Sequence, residues 1–121
     1  MTEFPYTPEQ LAWLEALESG AYQQAREKLV TPDGRYCCLG VACKMYEGAL
    51  DIEGWPDRID QDAPDPIVDL LKLRDSCGNP FDAELALVEL NDDGKTFAEI
   101  AAIIRANPSE YFRNLDGADD V

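Results

Sequence analysis

The sequence contains no histidine, and this absence excludes several classes of chemistry. Without an imidazole there is no Ser-His-Asp or Cys-His nucleophile activation, no imidazole general base and no zinc site that requires histidine. Carboxylate, lysine and cysteine chemistry remain, but no pair of carboxylates is singled out by apolar surroundings that would raise one pKa. We therefore predict a protein that is not an enzyme, with no catalytic residues and no cofactor.

Basic residues are also scarce: 10 lysines and arginines stand against 25 aspartates and glutamates, which gives a formal net charge of −15. Such a surface repels nucleic acid and anionic membranes and attracts basic proteins. Carboxylates also keep a small protein soluble, so the charge alone leaves open whether the acidity is functional. We expect a basic protein partner and no direct binding to nucleic acid or to a membrane.

Long apolar runs are missing as well. No stretch approaches the ~20 residues that a membrane span needs, and the first residues lack the basic start and apolar stretch of a signal peptide. We expect a cytoplasmic protein with reduced cysteines. Cys37, Cys38 and Cys43 lie in an apolar run without the spacing of a zinc site, and Cys77 is distant. We predict that the three pack in the core and bind no metal.

The hydrophobic fraction of 45% in 121 residues is enough for one folded domain. We predict a single helical domain over residues 1–115 and an acidic C-terminal tail over residues 116–121. The predicted fold class is mainly α, a compact bundle of short helices. The apolar run after residue 34 is predicted to begin as an extended segment. A small two-stranded β element in addition to the helices therefore remains an open alternative.

Local signals place the helices. Thr7 followed by Pro8 and Gln10 indicates a helix start with a capping box, and Tyr6 and Leu11 are placed to form a hydrophobic staple. The first predicted helix runs from residue 8 to a stop at 19–20, and a second helix over 21–29 forms a helical hairpin with it. The next helices are predicted from about residue 38 to a loop that begins at 47, and over 66–73. The last two are predicted from residue 81 to the turn at 91–94, and from a cap at 96 to 107–108.

The longest loop, residues 47–66, is rich in Gly, Pro and Asp. Read as an EF-hand loop from Asp60, it has Asp65 at the glycine position and Leu71 at the closing glutamate position, so we predict a solvated acidic surface rather than a calcium site. The carboxylates predicted to contact a partner lie in this loop, in the helix after it and in the turn at 91–94. They are Asp57, Asp60, Asp62, Asp65, Asp69, Asp92 and Asp93.

A second hypothesis, of another class, is a protein that binds or sequesters a small ligand such as a nucleotide. Its pocket would lie between the helical hairpins and two turns. The candidate ligand-binding residues are Arg35, Tyr36, Gly94, Lys95 and Thr96. The shortage of cations argues against this hypothesis, since anionic ligands need them, and the stretch at 92–96 lacks the glycine-rich loop of a P-loop.

Two stretches, residues 35–43 (RYCCLGVAC) and residues 90–101 (LNDDGKTFAEIA), resemble motifs of small, largely uncharacterised proteins encoded by bacteriophages and prophages. The resemblance implies a phage context, in the cytoplasm of an infected bacterial host, and no reaction. In that context we predict a non-enzymatic accessory protein that binds a basic host or phage protein. Host takeover or anti-defence is the expected role, with DNA mimicry as one form of it.

Overall fold

The computed structural model describes residues 4–25, 29–49, 63–75 and 86–113. Within these residues the helices are α1 Pro8–Ser19, α2 Cys38–Tyr46, α3 Asp65–Leu71, α4 Leu87–Asp92, α5 Phe97–Ala106 and α6 Pro108–Tyr111. The fold is mainly α, as predicted. The sequence left open a small two-stranded β element. The described ranges contain isolated β-bridges and no sheet.

Helix α1 begins and ends where its local signals predict. The Thr7 hydroxyl accepts a hydrogen bond from the Gln10 amide at 3.1 Å, and the Gln10 side chain accepts one from the Thr7 amide at 2.9 Å. Gly20 ends the helix in the left-handed conformation, with φ of 77°. The buried side of α1 consists of Gln10, Trp13, Leu14 and Leu17. This side packs against α2, α3 and α5 and makes α1 the centre of the bundle.

The helix predicted for residues 21–29 is wrong over residues 21–25, which are not helical and in which Gln24 forms a bridge with Tyr36. The Ala25 amide donates to the Tyr36 carbonyl at 2.7 Å, and the Tyr36 amide donates to the Gln23 carbonyl at 2.8 Å. The backbone groups of this segment are therefore satisfied by a distant segment, which overrides a modest helix propensity. Because residues 21–25 pair with Tyr36, they do not fold back on α1 as a helical hairpin.

Helix α2 follows a tight turn and is buried along most of its length. The Gly34 amide donates to the Thr31 carbonyl at 3.0 Å, and Gly34 has φ of 85°. The helix begins at Cys38, as predicted, and every residue from Cys38 to Cys43 is buried. The three cysteines of this region are therefore core residues, and Cys77 lies outside the described residues.

The segment after helix α3 is hydrogen-bonded to the C-terminal end of the described chain. The helix predicted for 66–73 ends earlier, at Leu71, because Lys72 adopts a left-handed conformation with φ of 54°. Leu73 then forms a bridge with Phe112, and the Arg113 amide donates to the Lys72 carbonyl at 2.8 Å. Arg74 donates to the Glu110 and Ser109 carbonyls of α6 at 2.9 and 2.6 Å.

Helices α4 and α5 are joined by the turn that the sequence predicts. The helix predicted from residue 81 begins at Leu87, because Ala86 is extended with ψ of 160°; residues 81–85 lie outside the described residues. It ends at Asp92, and Gly94 has φ of 94°. The Thr96 hydroxyl accepts from the Glu99 amide at 3.1 Å, and the Glu99 carboxylate accepts from the Thr96 amide at 2.9 Å.

The Thr96→Ala substitution tests this capping box. We expect it to lower the free energy of unfolding by about 1 kcal/mol, because the first turn of α5 loses a hydrogen-bond acceptor for its free amides. Urea titration followed by circular dichroism measures the change. The matched variant Thr96→Ser keeps the hydroxyl and should unfold close to the wild-type midpoint. Equal midpoints for all three proteins would contradict a stabilising cap at this position.

The buried apolar residues of the described ranges form one core between α1, α2, α4 and α5. Helix α6 covers the end of α5, and α3 covers the first turns of α1. The predicted tail, residues 116–121, lies outside the described residues, and the single-domain prediction for 1–115 stays a prediction. None of the described helices combines the length and apolar character that crossing a membrane would need.

Candidate functional site

The carboxylates predicted to contact a partner fall into separate groups. Asp57, Asp60 and Asp62 lie outside the described residues. Asp65 and Asp69 are exposed on α3, which packs mainly against α1. The other group, at the end of α4, consists of Asp92 and Asp93. Helix α4 packs against α2 and α5, so the described contacts do not unite the two groups in one site.

The end of α4 carries a concentration of negative charge. Asp93 and Glu89 are exposed and Asp92 is half-buried, while the last turn of the helix contains no basic residue. Partial negative charge at the carboxyl end of a helix disfavours carboxylates there. Lys95 is the nearest cation along the chain. Asp92 and Asp93 are therefore not favoured by the dipole of α4, whereas the Glu89 carboxylate accepts a hydrogen bond from the Ala86 amide at 3.4 Å at the start of the helix.

Several basic side chains of the described residues, in contrast, are engaged in ion pairs within the chain. Ion pairs join Arg35 to Asp33, Lys44 to Glu47, Arg105 to Glu18 and Arg113 to Asp69, with N–O distances of 3.0, 2.6, 2.6 and 3.4 Å. The pKa of Asp33 is lowered by a hydrogen bond from the Thr31 hydroxyl and further by the charge of Arg35. Both partners of each pair are at least one-third exposed, so each pair adds little to stability, but each neutralises a cation that a ligand would need.

Of the residues in the ligand-binding hypothesis, Tyr36 lines an open cleft that the other four do not line. An open cleft of about 400 Å³ includes Tyr36, whose ring packs edge-on against Tyr22 at 6.0 Å, together with Lys44 and Asp33. Arg35, Gly94, Lys95 and Thr96 do not line it. Arg35 pairs with Asp33, and the Thr96 hydroxyl is used as a helix cap. These positions are therefore occupied by structural contacts.

Asn91 is the central polar residue that sequence reasoning missed. It is fully buried, and its amide nitrogen donates to the Ala25 carbonyl at 2.7 Å. Its amide oxygen accepts from the Gln24 side chain at 2.9 Å and from the Cys38 amide at 3.2 Å. A single side chain thus joins α4, the segment before residue 26 and the first turn of α2.

The same network connects residues 35–43 with residues 90–101. Gln24 also donates to the Lys95 carbonyl at 2.6 Å, while it forms a bridge with Tyr36. Residues 35–43 and residues 90–101 therefore meet at Asn91, Cys38 and Gln24. The contact fixes the backbone of the turn that presents Asp92 and Asp93, so the residues of both stretches position the acidic turn.

Two further buried polar contacts connect α1 to its neighbours. The Gln10 side chain is fully buried and donates to the Leu71 carbonyl at 2.7 Å. The Trp13 indole donates to the Cys38 carbonyl at 2.9 Å. The capping-box position of Gln10 gave a signal for its local hydrogen bond. Its burial against α3 had no signal in the sequence, because it depends on a segment far along the chain.

The buried thiols are poorly suited to chemistry. Burial raises the pKa of Cys37 to about 11, and it raises the pKa of Cys38 well above its ordinary value. The reactive and metal-binding form of cysteine is the thiolate, which burial here disfavours. In the described part of the chain, no cluster of three or more cysteine and acidic side chains is arranged to hold a metal ion.

A family model described as a domain of unknown function (DUF8296) matches residues 9–64. The matched region includes α2, nearly all of α1 and the stretch at 35–43, whereas the stretch at 90–101 lies beyond it. No curated protein and no solved structure matches the chain. The family description names no activity, so the function rests on the arrangement of residues described above.

Proposed function

We propose that this chain is a non-enzymatic accessory protein of a phage or prophage that binds a basic host or phage protein in the cytoplasm of an infected cell. The proposal is supported by the excess of carboxylates over cations and by the ion pairs that engage cations within the chain. The chain has a formal net charge of −15, and several of its described cations are engaged in internal ion pairs. The exposed carboxylates of the described residues, Asp65 and Asp93 among them, are placed to steer basic proteins toward the surface.

The turn at the end of α4 is the best-defined contact surface for such a partner. Asp92 and Asp93 follow the buried Asn91, and Gly94 closes the turn with φ of 94°. A backbone held from beneath by Asn91 presents its carboxylates in a fixed geometry, which lowers the entropy lost on binding. The carboxylates at 57–69 form the second proposed contact region, of which Asp65 and Asp69 are exposed on α3.

The proposed biological role is host takeover or anti-defence. A basic surface that attracts these carboxylates would in many proteins be one that contacts phosphates, so the same contact would block nucleic-acid binding by charge mimicry. Nucleotide binding is the less favoured alternative, since Arg35 is paired with Asp33 and the Thr96 hydroxyl is a helix cap. Thermal-shift measurements with nucleotides separate the alternatives, because a ligand at one hundred times its Kd adds about 2.7 kcal/mol of stability.

The double substitution Asp92→Asn with Asp93→Asn tests the acidic turn. We expect the immobilised wild-type protein to capture a basic protein from bacterial lysate at low salt and to release it as salt rises, because exposed charges are screened. The double variant should bind the identified partner about fivefold to tenfold more weakly in solution, given the modest energy of exposed charge pairs.

The matched control is Asp33→Asn with Glu47→Gln, which removes two carboxylates that are already paired with cations. It makes the same change in net charge and should weaken binding by less than about twofold. Equal weakening by both variants would assign the effect to net charge and refute a role for the turn. Capture of no salt-sensitive partner would contradict the proposed function itself.

A further inference from the structure

A groove of about 640 Å³ lies away from the acidic turn, between the segment before α1 and the junction of α5 with α6. It is lined by Phe4, Pro5, Tyr6, Leu11, Arg105 and Pro108. Phe4, Tyr6, Leu11 and Pro108 are half-buried and Pro5 is exposed, so the lining offers apolar surface to solvent. A concave groove with apolar lining can receive a single apolar side chain of a partner.

The aromatic wall of the groove is preformed. The rings of Phe4 and Tyr6 meet edge to face with centroids 4.9 Å apart. Both pack on Phe112, at 6.1 and 6.2 Å, and Phe112 in turn packs on the buried Trp13 at 6.1 Å. The Tyr6 amide donates to the Phe4 carbonyl at 2.9 Å. The wall therefore rests on the core, and a partner need not order it on binding.

The charge around the groove selects the kind of partner. Arg105 contributes the cation of the lining, and its guanidinium donates to both carboxylate oxygens of Glu18, at 2.6 and 3.0 Å. Glu15, exposed on α1, lies one turn after Leu11 and one turn before Glu18, so it belongs to the same face of the helix. The cation of the groove is thus neutralised by Glu18, and a further carboxylate lies on the adjoining helix face, which disfavours an anionic ligand and favours a cationic one.

We infer that this groove docks a segment of the basic partner in which a large apolar side chain is flanked by lysine or arginine. The apolar side chain enters between Tyr6, Leu11 and Pro108, and a flanking cation pairs with Glu15. Exposed faces of Phe4 and Tyr6 also favour a cation beside them. This inference rests on the proposed function, since it assumes a basic protein partner, and it adds a second contact surface with its own chemistry.

Two labelled peptides of equal charge test the groove by fluorescence anisotropy. One carries two leucines between pairs of basic residues, and the other carries serines in place of the leucines. We expect the wild-type protein to bind the leucine peptide about tenfold more tightly, because the groove buries apolar surface that serine lacks. Leu11→Ser and Phe4→Ala should reduce that preference to about twofold, and Glu15→Gln should weaken binding of both peptides.

Ala102→Ser, an exposed substitution on α5, is the control and should keep the wild-type preference. Circular dichroism verifies that each variant is folded, and Glu15→Gln provides a test that leaves the apolar wall intact. Equal affinity of the wild type for the two peptides, or an unchanged preference in Leu11→Ser and Phe4→Ala, would overturn the groove assignment. Salt-sensitive binding of both peptides without a preference for the leucine peptide would overturn the groove assignment but not the proposed function. A lysate that yields no salt-sensitive partner would instead count against the proposed function.

Discussion

The Gly40→Ala substitution is expected to lower the free energy of unfolding by about 3 kcal/mol, toward the upper end of what overpacking costs in a protein core. A Cβ atom at Gly40 would lie 1.8 Å from the carbonyl oxygen of Leu29 and 2.8 Å from its carbonyl carbon. Both atoms belong to the backbone, so no side-chain rotation relieves the clash. The same oxygen accepts a hydrogen bond from the Cys37 amide at 3.2 Å, which any displacement of Leu29 would weaken.

Gly48→Ala is the matched control for this prediction, since a Cβ at Gly48 meets no atom within 4 Å. We expect that variant to unfold within about 1 kcal/mol of the wild type, because its main effect is on the entropy of the unfolded chain. Urea titration followed by circular dichroism compares the three proteins. A Gly40→Ala protein as stable as the Gly48→Ala protein would show that α2 does not approach the Leu29 backbone closely.

The parts of the fold that follow from sequence are those fixed by neighbours along the chain. The caps at Thr7 and Thr96 each use a residue three positions away, and both form as predicted. The left-handed glycines at 20 and 94 end their segments as predicted, because only glycine adopts that conformation without strain. Local chemistry therefore located most helix boundaries within a few residues.

Of the two segments that sequence reasoning misplaced, residues 21–25 depend on distant contacts. Residues 21–25 carry no strong helix breaker, yet they are not helical because Gln23 and Ala25 pair with the backbone of Tyr36. The start of α4 moved to Leu87 because Ala86 is extended. The pairing of residues 21–25 has no signature in a window of neighbouring residues, since tertiary hydrogen bonds outweigh the small differences in helix propensity. The start of α4 differs in this respect, because the Ala86 amide donates to the Glu89 carboxylate, three positions along the chain.

The candidate site also combines features that the sequence predicts with features that depend on distant residues. Composition gave the excess of carboxylates, and the turn at 91–94 gave a place where two of them are exposed or half-buried. The residue that holds this turn, Asn91, was missed because its partners Cys38, Ala25 and Gln24 lie 53, 66 and 67 positions away. The groove at Phe4 was missed for a similar reason, since α1 and α5 supply its sides.

The Asn91→Asp substitution is expected to lower the free energy of unfolding by about 4 kcal/mol at neutral pH, because a buried carboxylate replaces a satisfied amide. The new oxygen would lie where the amide nitrogen now donates to the Ala25 carbonyl at 2.7 Å, so a donor becomes an acceptor facing another acceptor. The second oxygen would still accept from Gln24 and from the Cys38 amide. The loss therefore falls on one hydrogen bond and on the burial of charge.

The pH dependence of this loss distinguishes a mispaired carboxylate from a simple packing defect. When protonated, the introduced carboxyl can donate its O–H to the Ala25 carbonyl, so its pKa in the folded state should be raised above the unfolded value of about 4. A raised folded pKa means that stability is retained below about pH 4 and is lost as pH rises, by up to about 1.4 kcal/mol per pH unit. Urea titrations of the variant and the wild type at matched pH values, taken as a difference at each pH, measure this slope and cancel the titration of the other carboxylates.

Asn107→Asp is the control for this prediction. Asn107 is exposed, although its side-chain amide also donates to a backbone carbonyl, that of Ile103 at 3.1 Å. Its difference from the wild type should stay below about 1 kcal/mol and vary little with pH, because water solvates the new charge. A pH-independent loss in Asn91→Asp would mean that the amide nitrogen does not donate to Ala25, and the buried link beneath the acidic turn would have to be assigned to other residues.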